Sequence, residues 1–118
     1  MEDQRTRVLV VDENEDLGAM LALAIQDHTI VAHHVTTLSA ALAAMDHLRP
    51  HALIVEDMAD GRLQLGMVPA LRRKASELAT NPRVIVHTCY PDERAEADVC
   101  FLKPTPVETL RASLDRGD

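Results

Sequence analysis

Tryptophan is absent from this 118-residue chain, and tyrosine and phenylalanine occur once each. Its core therefore has to be aliphatic, built from Val, Leu, Ile, Ala and Met. Only two cysteines are present, Cys89 and Cys100, too few for a disulfide framework or a zinc motif. No stretch approaches the ~20 apolar residues that span a bilayer, and no basic segment followed by an apolar run opens the chain. A cytoplasmic location without membrane contact is expected. Basic residues are few, 12 against 19 acidic, for a formal net charge of −7. Nucleic-acid binders draw much of their affinity from neutralising phosphates, so that class of partner is not expected. The one basic cluster, Arg72-Arg73-Lys74, reads as the solvated face of a helix. Histidines are scattered, and the adjacent pair His33-His34 falls in a strand, where neighbours point to opposite faces and cannot easily share an ion.

What is present is ordinary for a folded domain: 47% apolar and 26% charged residues. The length fits one domain over residues 1–118, with 115–118 as a frayed tail. Short apolar runs at residues 7–11, 30–35, 52–55, 84–86 and 99–102 read as buried strands. Between most of them lie helical patterns. Leu17, Met20, Leu21, Ala24 and Ile25 repeat at helical spacing behind a cluster of acids. An Ala-rich helix runs from Ser39 to Leu48 and stops at Pro50. A third helix is expected from Pro69 to Leu78, with the proline as its first residue. Thr105-Pro106-Val107-Glu108 has the spacing of a capping box and opens a last helix to about Leu114. Alternation of this kind gives an α/β domain, a doubly wound parallel sheet of five strands covered on both faces.

In open parallel sheets ligands bind beyond the carboxyl ends of the strands. The first strand ends at Asp12-Glu13, the third at Glu56-Asp57, the fourth at Thr88 and the fifth at Lys103. Carboxylates gathered on one rim repel by on the order of 1–4 kcal/mol per pair and call for a cation. Oxygen ligands with an open shell suit Mg²⁺.

Four segments in this order, Val8-Leu9-Val10-Val11-Asp12-Glu13-Asn14, Arg49-Pro50-His51-Ala52-Leu53-Ile54-Val55-Glu56, Val84-Ile85-Val86-His87-Thr88-Cys89 and Phe101-Leu102-Lys103-Pro104, resemble the receiver domain of two-component response regulators. The resemblance covers essentially the whole chain. It implies a flavodoxin-like fold with strand order 2-1-3-4-5, and a histidine kinase, phosphotransfer protein or downstream effector as partner, with a homodimer also allowed. In that family the first-strand acids hold Mg²⁺, an Asp ending the third strand accepts a phosphoryl group, a hydroxyl and a Lys contact it, and the Lys-Pro bond is typically cis. Carried onto this chain, the metal site is Asp12, Glu13, Glu56 and the carbonyl of Met58, and the phosphoryl contacts are Thr88 and Lys103.

Counting from Pro50 as the family pattern does puts Glu56 at the acceptor position, with Asp57 one residue late. Strand alternation lets one of the two point into the pocket. A Glu reaches one methylene further than an Asp, so it can pair with Lys103 and accept from Thr88 without phosphate, and it is a badly placed nucleophile. Cys100 stands where the family usually has an aromatic switch. Thr88 and Lys103 are 15 residues apart, so the fourth helix should be short or missing, and the loop at 60–67 looks lengthened. The expected function is a stand-alone receiver-like signalling module that docks on a protein partner, its phosphorylation degenerate and its Mg²⁺ binding weak or lost. One alternative is an ordinary receiver phosphorylated on Asp57. An Mg²⁺-dependent phosphohydrolase on this architecture is the enzymatic alternative, and it lacks the Asp-x-Asp motif such enzymes carry after the first strand.

Overall fold

The apolar run that starts the chain has no polar face. In the computed structural model, which describes residues 4–89, 94 and 96–114, it forms β1 (Thr6–Val11), whose last four residues are buried. Such a strand belongs inside a parallel sheet covered on both sides. α1 (Glu15–Ile25) follows, with Asn14 as N-cap accepting from the Leu17 amide and two acids in the first turn. β2 (Ile30–Val35), α2 (Leu38–Leu48) and β3 (Ala52–Val55) repeat the strand–helix pattern. Two-residue strands β4 (Met58–Ala59) and β5 (Arg62–Leu63) come next, then α3 (Met67–Glu77), β6 (Arg83–Thr88), β7 (Val99–Leu102) and α4 (Val107–Ser113).

The five long strands are all parallel, in the order β2-β1-β3-β6-β7. With the small hairpin set aside this is the expected 2-1-3-4-5 order of a doubly wound, flavodoxin-like sheet. Alternation along the strands builds two cores. Leu9, Val11, Leu53, Val55, Val84 and Val86 pack with residues of α2 and α3. Val8, Val10, Ala52, Ile54 and Ile85 pack with residues of α1 and α4 on the other face. The same alternation, continued past the strand ends, decides which polar side chains meet.

Several local expectations are corrected. The stretch at 60–67 is partly a hairpin, β4 antiparallel to β5, turned by Asp60 (φ 54°) and Gly61 (φ 72°). Asp-Gly suits a two-residue turn that needs positive φ at both places. α3 starts at Met67, two residues before Pro69; a proline is tolerated there because first-turn amides have no helical partner to lose. The capping box at Thr105 does not form: Pro106 is the N-cap with no side-chain bond, and the Thr105 hydroxyl donates to the Leu102 carbonyl instead. Arg72 is no solvated side chain. It ties α3 to the approach of β7, donating to the carbonyls of Glu96 and Pro82 and to the Asp98 carboxylate, each at 2.8 Å. The short or missing helix expected between Tyr90 and Ala97 falls mostly outside the described residues; among those described between β6 and β7, none is helical. The tail at 115–118 lies outside them too.

Candidate functional site

The strand ends bring Asp12, Glu56, Asp57, Thr88 and Lys103 to one rim of the sheet, but alternation sorts them into two groups. Asp12 continues the phase of Val8 and Val10, Glu56 that of Ala52 and Ile54, and His87 that of Ile85. All three therefore belong to the α1–α4 face, and Lys103 joins them, two residues beyond Phe101. Asp57 continues the phase of Leu53 and Val55, and Thr88 that of Val84 and Val86, on the α2–α3 face. Alternation turns the two acids to opposite faces, yet neither is left in solvent: Glu56 is 7% exposed and Asp57 1%.

On the α1–α4 face Lys103 bridges two carboxylates, with Nζ 2.9 Å from Asp12 Oδ2 and 3.2 Å from Glu56 Oε1. Burial on its own would lower the lysine pKa, yet the hydrogen bond and charge of Asp12, then the charge and hydrogen bond of Glu56, raise it above the ordinary value. The Lys103–Pro104 bond is cis, and the Lys103 amide donates to the Thr88 carbonyl at 2.8 Å. The second oxygen of Asp12 accepts from the Asn14 amide, and the Asp12 carbonyl lies 2.8 Å from His34 Nε2. Glu56 Oε2 is buried without a hydrogen-bond partner among the described residues.

On the α2–α3 face a residue that sequence reasoning missed takes over. Arg94, 8% exposed, sends Nε to Asp57 Oδ2 at 2.7 Å and Nη2 to Oδ1 at 3.4 Å. The same Nη2 lies 3.5 Å from Thr88 Oγ1. A planar guanidinium facing both oxygens of a carboxylate is the strongest common geometry for such a pair. Thr88 thus shares its group with Asp57 and Arg94, where it had been expected beside Glu56. Asp57 is also fixed through its backbone, its carbonyl accepting from the Gln64 amide at 2.7 Å beyond the hairpin. No periodicity marks Arg94. The one available signal was that a buried acid at 57 needs a cation, and Lys103 is committed elsewhere.

The expected metal ligands meet only in part. Among the described residues no three Asp, Glu, His or Cys side chains converge as a cation site requires. The Lys103 ammonium stands between Asp12 and Glu56, while Glu13 Oε2 accepts from the Asp60 amide at 2.9 Å. Met58 and Glu13 border, with Glu56, an open cavity of about 610 Å³ that reaches the first residues of α2 and α3. These side chains, as arranged, do not fit Mg²⁺. Cys100 is half-buried and Cys89 exposed, both as free thiols; Cys100 lies against the α2–α3 core.

No family model matches the sequence, and no curated protein matches it. Solved structures do. A CheY-like response regulator receiver domain from Methylobacillus flagellatus is 18% identical, with a TM-score of 0.79 over 93% of this chain and 96% of that one. The chemotaxis response regulator CheY4 of Vibrio cholerae is 21% identical, with a TM-score of 0.76 over 95% of this chain and 98% of that one. A Burkholderia pseudomallei response regulator, solved with a phosphorylated aspartic acid, a calcium ion and citrate, is 21% identical with a TM-score of 0.77, over 95% of this chain and 68% of that one. The chain has the fold of response-regulator receiver domains. No helix among the described residues is long and apolar enough to cross a membrane.

Proposed function

We propose that this chain is a receiver-like module of two-component signalling in the cytoplasm, acting by docking on a protein partner such as a histidine kinase, a phosphotransfer protein or a downstream effector. Residues 1–118 are proposed to form one domain, without catalysis of its own. The reading rests on one observation: both acids at the end of β3 are closed from water and committed to internal cations, Glu56 to Lys103 and Asp57 to Arg94. A carboxylate oxygen serves as a nucleophile toward phosphorus only if it can meet the donor in line. Here the internal cations hold the carboxylates where a phosphoryl group would otherwise be needed to draw the rim together. Mg²⁺ would have to displace Lys103 to reach Asp12 and Glu56, so its binding is weak.

A second reading is carried by the face on which Asp57 lies. Asp57 and Thr88 share a face and a common neighbour in Arg94, which is the pairing an ordinary receiver phosphorylated on Asp57 needs. Incubation with phosphoramidate and Mg²⁺, read by intact mass, separates the two. The first reading expects no added phosphoryl group. An adduct that is lost in Asp57→Asn would establish the second.

A further inference from the structure

His87 stands where the pattern of its strand calls for an apolar side chain. Ile85, two residues earlier on the same face, is a fully buried member of the α1–α4 core, and His87 itself is 9% exposed. Neither ring nitrogen has a hydrogen-bond partner among the described residues. A buried imidazole normally finds at least one. Desolvation, reinforced by the nearby Lys103 charge and only partly opposed by Asp12, lowers its pKa to about 4, so at neutral pH the ring carries one N–H donor and one bare acceptor.

His87 lines, with Leu17, Leu21, Pro104, Asp12 and Lys103, an open cavity of about 440 Å³ between α1 and the turn after β7, and both ring nitrogens are themselves buried as placed. That size lies within the range of small-molecule pockets, which combine apolar walls with a few placed polar groups. A half-turn of the imidazole about its Cβ–Cγ bond exchanges its nitrogens with ring carbons in nearly the same volume, so the free donor and acceptor can be presented to a guest. Lys103 has three N–H groups, of which two go to Asp12 and Glu56. One remains for a carbonyl.

Charge narrows the guest. An anionic head would be a third carboxylate-like group around one ammonium already shared by two. A cationic head would lie beside that ammonium without a free counter-charge. We propose that this cavity binds a small uncharged ligand with an amide-type head, a carbonyl next to an N–H, on an apolar ring. The carbonyl accepts from Lys103, the N–H donates to the bare nitrogen of His87, and the ring lies against Leu17, Leu21 and Pro104. The binding site is that of the unphosphorylated rim, in which Lys103 stands between Asp12 and Glu56.

Benzamide is the probe, with benzoate and toluene as controls, and the readouts are the His87 Cε1–H resonance and the Lys103 amide resonance of the isotope-labelled chain. Benzamide is expected to give saturable shifts at both positions, and each control to bind at least about tenfold more weakly, the order expected for a lost hydrogen bond. His87→Phe, which keeps a ring in place, should weaken benzamide by about tenfold at the Lys103 amide. His87→Leu gives the same comparison if the Phe variant does not fold. Absence of saturation by benzamide, equal binding of toluene, or unchanged benzamide affinity in both variants would overturn the proposal.

Discussion

Arg94 and Asp57, 37 residues apart, form an ion pair that is closed from water on both sides, Nε to Oδ2 at 2.7 Å with side chains 4% and 1% exposed. Arg94 lies between β6 and β7 in the sequence, so the pair fastens that residue to the end of β3. Its worth lies less in attraction than in what happens when half of it is lost.

Arg94→Met should strand a buried carboxylate and destabilise the chain by about 3–5 kcal/mol. The double variant Arg94→Met/Asp57→Leu should recover most of that loss, since an apolar pair of similar volume is often no worse than a buried ion pair. Urea unfolding of the three proteins checks this. A single variant within about 1 kcal/mol of wild type would show that the pair is not buried in solution.

Lys103→Met should leave Asp12 and Glu56 facing each other without a cation, again at a loss of about 3 kcal/mol or more, and adding Glu56→Gln should restore part of it. The same substitution vacates the place between the two carboxylates. Mg²⁺ titrated into wild type by calorimetry should therefore show weak binding or none, and Lys103→Met should bind it more tightly. Tight binding to wild type would contradict the arrangement of Lys103.

His87 gives the chain a pH dependence with a definite sign. Its folded pKa, about 4, lies below the unfolded value of 6.5, so between these values the unfolded chain binds the extra proton. Stability is full above about pH 6.5 and falls as pH drops toward 4, by on the order of 3 kcal/mol from this one group. Carboxylates add their own acid dependence, so the informative quantity is the difference between wild type and His87→Leu. That difference should shift in favour of the variant across this window and be flat above pH 7.

Gly18 lets the His34 ring lie against α1. A Cβ built at Gly18 would overlap His34 Nε2, the atom that reaches the Asp12 carbonyl. Gly18→Ala should displace the ring, since it is the end of a side chain and can swing away. The lost hydrogen bond, about 1 kcal/mol, is then offset by alanine's helix preference of about 1 kcal/mol. The expected result is little change in unfolding midpoint together with a large change in the His34 ring resonances. A His34 signal that stays put in Gly18→Ala would refute the contact.

The sheet was legible because its signals are local and repeated: four-residue apolar runs, a break at Pro50, acids at the strand ends. The Glu56–Lys103 pair was legible because both residues end strands on the same rim and Lys103 is long enough to reach across β6, which lies between β3 and β7. The partner of Asp57 was not. Arg94 sits in a polar stretch without period, and nothing nearby in sequence marks it as buried. The division of the rim was open to inference, since Thr88 is two residues from Val86 and Asp57 two from Val55. The count from Pro50 says which acid stands at the acceptor place, whereas the phase of β3 decides which layer each acid faces. The hairpin carried its own sign in Asp60-Gly61, but two-residue strands are too short to show alternation.

Glu56 and Asp57 are joined by a single peptide plane, and each is anchored to a different layer of the molecule, one through Lys103 and one through Arg94. The end of β3 is thus stitched to both layers at adjacent residues, so loosening it takes the loss of two ion pairs on opposite faces of the sheet.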